Sequence, residues 1–327
     1  MSSHLTYLEA SVVGLIQGVT ELFPVSSLGH NVLLPALIGG SWASDLSVAK
    51  AESPYLAFIV GLHVATAIAL LIYFWRDWIR IIGGFFTSLR DRRVETTDQK
   101  LAWMVILATI PVGLVGLAFE HEFRVLFGKP IRAAIFLVVN GVILYAGERF
   151  RTRASLRADE ELAAERERTE GQAERGHAAH ASGQRAVRQL ELSRAVQADE
   201  RLAVAGYLQA VVIGSAQILA LLAGISRDGV TMVAGMFRGL SREDAARFAF
   251  LLATPVILAA GALKYNDLIQ KGHGIYGPIL VGSLLSGLGA YLSVRYLVKY
   301  FQTRTLTPFA IYCVLFGLGS IIYLSVK

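Results

Sequence analysis

The chain has 327 residues, of which 54% are hydrophobic and only 17% are charged, and this balance excludes an ordinary soluble domain. Its single cysteine, Cys313, excludes an internal disulfide and a metal site built from cysteines. The net charge of +6 would suit nucleic acid, but the basic surplus lies in short loops beside apolar runs, so we expect a membrane partner and no nucleic acid.

The first apolar segment, residues 8–34, is interrupted near its middle. It contains the stretch QGVTELFPVSSLGH, in which Pro24 and the Ser-Ser-Leu-Gly run break a helix. Non-helical backbone at membrane depth is tolerated only where protein buries it or where it lines a cavity. The segment therefore predicts a re-entrant hairpin rather than a straight span.

Six further apolar runs have the length of a membrane-spanning helix. They are residues 55–75, 101–119, 131–147, 248–263, 279–298 and 306–324. Only helices satisfy their own backbone groups in lipid without closing into a barrel, so the sequence predicts an all-α integral membrane bundle. The Met1 end lacks the pattern of a removable signal peptide.

A charged insert, residues 148–202, separates two apolar parts at 1–147 and 203–327. It contains equal numbers of arginine and acidic residues, and this composition predicts either an exposed helix or a disordered segment. Three glycines, at 171, 176 and 183, argue against one continuous helix. Positively charged loops beside the spans place this insert in the cytoplasm.

A second interrupted segment, residues 203–236, repeats the first at a distance of 200 positions. The matching pairs are Gly14 and Gly214, Gln17 and Gln217, Ser26 and Ser226, and Gly29 and Gly229. Paired interrupted segments in two halves are typical of inverted-repeat membrane folds with a site at mid-membrane. We therefore expect six transmembrane helices and two re-entrant helical hairpins in an inverted repeat, interrupted in the second half at Ala223-Gly224 and Asp228-Gly229.

The second interruption carries groups that suit a phosphate. Ser226, Arg227, Asp228, Gly229 and Thr231 lie where a helix is expected to restart, and its free N–H groups attract anions. The planar guanidinium of Arg227 grips phosphate oxygens, and Ser226 and Thr231 add hydroxyl groups. The alternative is that Ser226 only caps the helix while Arg227 extends to the membrane interface.

The first interruption carries groups that suit proton transfer and metal binding. Gln17 and Glu21 share a helix face and offer oxygens to Mg²⁺ or Ca²⁺. Ser26 or Ser27 is a candidate nucleophile, and His30 is close enough along the chain to act on Ser27 or on a leaving group. The alternatives are a structural Glu21 paired with an arginine and a buried His30 bonded to a carbonyl.

Two polar residues inside apolar runs are expected to bridge helices by hydrogen bonds, namely His63 and Asn140. Small residues at 282–289 would permit close contact with another helix, and a homodimer is expected through this stretch.

QGVTELFPVSSLGH resembles the first signature of the undecaprenyl-diphosphate phosphatase family, also called bacitracin-resistance proteins, and AGISRDGVT resembles its second. FWRD at 74–77 and FAFLLATP at 248–255 are also similar to sequences of this family. The resemblance implies an inner (plasma) membrane phosphatase that removes the terminal phosphate of undecaprenyl diphosphate, with a divalent cation and a site open to the outer side.

By motif, the resemblance implies catalytic roles for Glu21, Ser27, His30 and Arg227, in a pocket completed by Gln17, Ser26, Ser226, Gly229 and Thr231. Two routes stay open from the sequence, in which either Ser27 attacks covalently or His30 activates a water molecule. Three positions depart from the usual pattern: Gln17 replaces a frequent glutamate, Ala223 a proline and Asp228 a serine. One hypothesis makes Asp228 a metal ligand with Glu21 and Gln17, and the other pairs it with Arg227 at the helix start. A polyprenyl-phosphate transporter using the same site is the alternative function.

Overall fold

A computed structural model of the chain describes residues 5–46, 54–127, 129–169, 199–204, 206–264 and 274–326. Regular structure within these ranges is helical, which confirms the predicted all-α fold. The helices are α1 (Tyr7–Leu22), α2 (Ser27–Ile38), α3 (Gly40–Asp45), α4 (Pro54–Tyr73), α5 (Trp75–Asp91), α6 (Thr97–Phe127), α7 (Pro130–Thr169), α8 (Tyr207–Ser215), α9 (Arg227–Phe237), α10 (Arg242–Leu263), α11 (Tyr276–Thr303) and α12 (Thr307–Val326). The three glycines of the insert lie outside the described residues.

Among the described residues, five helices are long and apolar enough to cross a membrane by themselves, namely α6, α7, α10, α11 and α12. The remaining predicted run, 55–75, ends early, because α5 leaves α4 at an angle of 86°. With this bent pair counted as one span the total is six. The arrangement of six spans around two re-entrant hairpins stays a prediction.

The bend before α5 follows from a change in sequence pattern. α5 places Arg76, Asp77 and Arg80 on the same short helix as the exposed Ile79 and Ile82. A helix with one charged and one apolar face is stable at a membrane interface and costly inside lipid. The chain therefore turns where its composition changes.

The first interruption lies where Pro24 predicts it. α1 begins with a capping box between Thr6 and Glu9 and ends at Leu22. Ser26 has a φ of 67°, in the left-handed region that side chains other than glycine seldom adopt. Its hydroxyl oxygen accepts the N–H of Gly29 at 3.2 Å and so starts α2.

The second interruption is shorter than expected. α8 continues as a 3-10 helix, Ala216–Leu221, and the chain then turns through Gly224, whose φ is 111°. The prediction that Asp228 and Gly229 also interrupt a helix is wrong, because both lie in the first turn of α9. Ser226 accepts the N–H of Gly229 at 3.2 Å, and this cap starts the helix one residue later, at Arg227.

Two of the matching glycines occupy equivalent contacts. A Cβ added to Gly14 of α1 would lie 2.4 Å from the carbonyl oxygen of Gly282 in α11. One added to Gly214 of α8 would lie 2.1 Å from the carbonyl oxygen of Ala108 in α6. Each glycine thus lets a short helix touch the backbone of a span from the other half of the chain.

The small residues at 282–289 are used within one chain. Gly282 and Gly289 face α1, where a Cβ on Gly289 would lie 3.4 Å from the Cα of Gly18. The opposite face of α11 exposes Leu280 and Leu284, as a lipid-facing surface would. The stretch on which the homodimer was predicted therefore packs α11 against α1.

Ion pairs join both ends of the insert to the helical bundle. Glu148 accepts hydrogen bonds from Arg242, within a helix, α7, that continues past residue 147 to Thr169. Asp199 accepts from Arg80 at 2.6 Å and from Arg247 at 3.0 Å, and its side chain is fully buried. The two ends of the insert are thus anchored to helices of both halves.

Candidate active site

Asn140 of α7 lies between the two interruptions and binds both. Its side-chain N–H donates to the carbonyl oxygen of Pro24 at 2.9 Å, and its side-chain oxygen accepts the backbone N–H of Ser226, also at 2.9 Å. Between the interruptions themselves, the N–H of Gly224 donates to the hydroxyl oxygen of Ser26 at 3.2 Å. The hydrogen-bonding role predicted for Asn140 is confirmed, and its partners are backbone groups in the two interruptions.

Glu21 is the centre of the polar cluster that forms beside these breaks. Its Oε1 accepts a hydrogen bond from Arg227 Nη2 at 2.7 Å. Its Oε2 accepts from Gln17 Nε2 at 2.8 Å and from the hydroxyl group of Ser27. Gln17 is held in turn by Asn31, whose Nδ2 donates to its Oε1 at 2.6 Å. Residues from both interruptions therefore meet on one carboxylate.

His63 of α4 also reaches this carboxylate and so bridges α4 and α1 as predicted, although the sequence did not place it in the site. Its Nε2 lies 3.3 Å from Glu21 Oε2. Its other ring nitrogen, Nδ1, lies 2.9 Å from the carbonyl oxygen of Ile59 in the same helix. The signal in the sequence was an ionisable residue inside an apolar run, the same criterion that selected Glu21.

His30 is buried, but its ring nitrogens bind elsewhere than Ser27. Nδ1 lies 2.7 Å from the carbonyl oxygen of Ser26, which only accepts, so Nδ1 carries the proton and donates. Nε2 lies 2.7 Å from the hydroxyl group of Tyr312 in α12, and the ring stacks on Phe316. His30 thus has the contacts of the second possibility given above, a buried imidazole bonded to a carbonyl oxygen.

The remaining residues of the second motif mainly shape the start of α9. Ser226 is its N-cap, and Gly229 supplies the capped N–H. The hydroxyl group of Thr231 donates to the carbonyl oxygen of Arg227 at 2.7 Å. Arg227 itself does not extend to the interface, because its guanidinium turns inward to Glu21 and only 15% of its side chain is exposed.

Asp228 is the buried carboxylate with spare bonding capacity. Within the described residues neither of its oxygens accepts a hydrogen bond, and its closest charge is Arg227, whose Nε lies 3.5 Å from Oδ1. Free anionic oxygens suit a hard cation such as Mg²⁺ or Ca²⁺. The oxygens of Glu21 and the Oε1 of Gln17 already accept other donors, so of the three predicted ligands Asp228 has the free oxygens. Among the described residues no three His, Cys, Asp or Glu side chains are grouped to hold a metal, and the contact with Arg227 at the start of α9 is the pairing that the second hypothesis predicts.

The cluster has the parts needed for phosphoryl transfer. Ser27 supplies a hydroxyl group bonded to a carboxylate that can take its proton. Arg227 supplies a cation that can bind two phosphate oxygens at once, and it is the first residue of α9. Backbone N–H groups at this helix end also point away from the helix, toward a bound anion. Burial of the cluster strengthens each of these interactions, because little water screens them.

The fold and the cluster define a multi-pass helical membrane protein with a polar site enclosed between two broken helices. A family model described as "Bacitracin resistance protein BacA" matches residues 10–319, and the chain belongs to this family. The chain is 58% identical to a protein of Mycolicibacterium paratuberculosis named undecaprenyl-diphosphatase, over the full length of both. It is 54% identical to undecaprenyl-diphosphatase 2 of Frankia alni, with 96% of each chain covered, and 40% identical to that of Burkholderia orbicola, with 93% of this chain and 92% of the relative covered.

Proposed function

We propose that the chain hydrolyses undecaprenyl diphosphate to undecaprenyl phosphate and phosphate, and so recycles the lipid carrier of cell-wall synthesis. The names of its relatives support this activity. The observation that carries the proposal is that Ser27 and Arg227, from the two broken helices, both bond to Glu21. A nucleophile, its base and a phosphate-binding cation thereby share one small volume.

The reaction follows from the contacts of these side chains. Arg227 and the N–H groups at the start of α9 bind the terminal phosphate. Ser27 Oγ attacks that phosphorus and gives its proton to Glu21, the phosphoanhydride bond breaks, and undecaprenyl phosphate leaves. Water then hydrolyses the phosphoserine, releasing phosphate and restoring Ser27.

A divalent cation is part of this proposal. Asp228, together with phosphate oxygens of the substrate, would hold Mg²⁺ or Ca²⁺, with Gln17 and Glu21 as the other predicted ligands. When bound, such an ion neutralises charge that develops on the phosphate oxygens. The buried and unbonded oxygens of Asp228 are the feature that supports it.

The membrane setting of the proposal follows from the charge of the loops. We propose that the chain lies in the plasma membrane with the insert in the cytoplasm and the site open to the outer side. Cys313 is the single cysteine and is buried, so in a Cys313→Ala background a cysteine introduced at Ser44 or at Ser155 is the single thiol. A thiol reagent that does not cross the membrane then reports on which side of the membrane that position lies. Labelling of Ser155→Cys from outside intact cells would contradict this orientation.

The test of the activity is phosphate release from undecaprenyl diphosphate by the purified protein, with and without EDTA. We expect release that EDTA abolishes, and none from Arg227→Ala. If the wild type releases no phosphate but moves labelled lipid phosphate between leaflets, the chain is a transporter and the proposal fails.

The role of Asp228 has its own test. We expect Asp228→Ser to lose cation-dependent activity and the double variant Gln17→Glu/Asp228→Ser to recover it, because a second carboxylate is then restored beside Glu21. Full activity of Asp228→Ser alone would rule out Asp228 as a ligand.

A further inference from the structure

His63 contacts the site without belonging to either motif. It lies in the middle of α4, and 27% of its side chain is exposed, against 5% for Glu21. The carbonyl oxygen of Ile59 only accepts hydrogen bonds, so Nδ1 of His63 carries a proton and the ring is held in one orientation. In that orientation Nε2 faces Glu21 Oε2 at 3.3 Å, and in this ion pair the ring donates from both nitrogens, because the carboxylate oxygen also only accepts.

The carboxylate of Glu21 is therefore flanked on both sides. Arg227 binds Oε1 from α9, and His63 approaches Oε2 from α4. These two are the charged or titratable side chains that contact Glu21 among the described residues, while Gln17 and Ser27 add neutral donors. A buried carboxylate needs such partners, because an uncompensated charge in a low-dielectric interior is costly.

Substrate binding changes this balance. Under the proposed function, on which this inference rests, the terminal phosphate competes with Glu21 for the guanidinium of Arg227. As Arg227 turns to the phosphate, Oε1 of Glu21 loses its strongest partner. The contact with His63 lies on the opposite oxygen, the one that receives the proton of Ser27, and does not depend on Arg227.

We propose that His63 is a positioning residue, which holds Glu21 as the acceptor of the Ser27 proton while Arg227 binds the phosphate. Its action is through Glu21 and not through the substrate. Loss of His63 should then slow the chemical step with bound substrate and leave substrate binding nearly unchanged, because misplacing a base by a fraction of an ångström lowers kcat.

The experiment compares kcat and KM for phosphate release from undecaprenyl diphosphate by the purified full chain. We expect His63→Leu to lower kcat by roughly 10- to 100-fold with KM within about threefold. His63→Gln, which keeps a side-chain N–H donor, should retain kcat within about threefold of the wild type. Thr109→Val is the matched control: it removes a polar group whose bond is to Val105 of its own span, and kcat should not change.

A double-variant cycle with Glu21→Gln separates a positioning role from a general structural one. If His63 acts through Glu21, His63→Leu causes no further loss in the Glu21→Gln background. An equal loss in both backgrounds, or a normal kcat for His63→Leu, overturns the inference. Should His63→Leu fail to fold, His63→Phe removes the donor and keeps a planar ring. A wild type without phosphatase activity would instead defeat the proposed function itself.

Discussion

Arg227 Nη2 donates to Glu21 Oε1 at 2.7 Å, although the two residues are 206 positions apart in the chain. One lies near the end of α1 and the other at the first residue of α9. Their side chains are 15% and 5% exposed, so the pair is largely shielded from water. The two broken helices are thus joined by a charge pair that also faces the proposed substrate site.

Replacing Arg227 should abolish catalysis even when the charge is kept. Arg227→Lys retains a cation but loses the planar, two-pronged geometry that fits both a carboxylate and a phosphate. We expect both Arg227→Lys and Arg227→Ala to reduce kcat/KM for phosphate release by roughly 100-fold or more. Arg90→Ala, which removes an arginine with 75% of its side chain exposed, is the control and should leave activity unchanged.

The adjacent serines should respond differently to the same substitution. Ser27→Ala removes the hydroxyl group bonded to Glu21, so we expect activity to fall by roughly 1000-fold with little change in melting temperature. Ser26→Ala leaves the backbone N–H groups of Gly29 and Gly224 without their acceptor, at a cost of about 1–3 kcal/mol. Thermal unfolding in detergent, measured beside phosphate release, checks both. Equal melting temperatures for the two variants would contradict this division.

The matching glycines should not tolerate a methyl group. In Gly14→Ala and Gly214→Ala the new Cβ would lie 2.4 and 2.1 Å from backbone oxygens of neighbouring spans. Backbone has to move to relieve such contacts, so we expect each variant to lose about 1–3 kcal/mol of stability. Gly113→Ala is the matched control in α6, where an added Cβ has nothing within 4 Å, and it should melt no lower than the wild type.

At the C-terminal end of the insert, Asp199 should contribute to stability and its neighbour Glu200 should not. Asp199 is fully buried between Arg80 and Arg247, and its removal leaves two guanidinium groups short of a counter-charge. We expect Asp199→Ala to destabilise the protein by about 3 kcal/mol. Glu200 is exposed, so Glu200→Ala should have little effect on the melting temperature. Similar losses in both variants would contradict a specific contribution from the ion pairs of Asp199.

Several features of the site could be predicted from local sequence. Pro24 favours a break in the first segment because proline has no N–H to bond the preceding turn, and Ser226 starts α9 because its hydroxyl oxygen caps the first turn. Asp228 and Gly229 were predicted to interrupt the helix but lie in its first turn, since these residue types occur equally well in a loop and at the start of a helix. The bend after Tyr73 was also missed, because the apolar run continues to Trp75.

Other features depended on how the helices are packed. Ser27 and His30 lie on one short helix, yet Ser27 faces Glu21 whereas His30 faces Tyr312 of α12. The rotation of α2 about its axis decides this, and that rotation is set by contacts with α1, α7 and α12. His63 joined the site for the same reason, because α4 packs beside α1.

The sequence by itself determined a helical membrane protein with two matching interruptions, because run length, proline, glycine and capping residues act within a few positions of the chain. It also selected Glu21 and Arg227, since charge inside an apolar segment is costly wherever that segment lies. Only the tertiary structure decided which side chains share the carboxylate of Glu21. Contacts across 206 positions depend on the mutual rotation and depth of packed helices, and no local pattern encodes these.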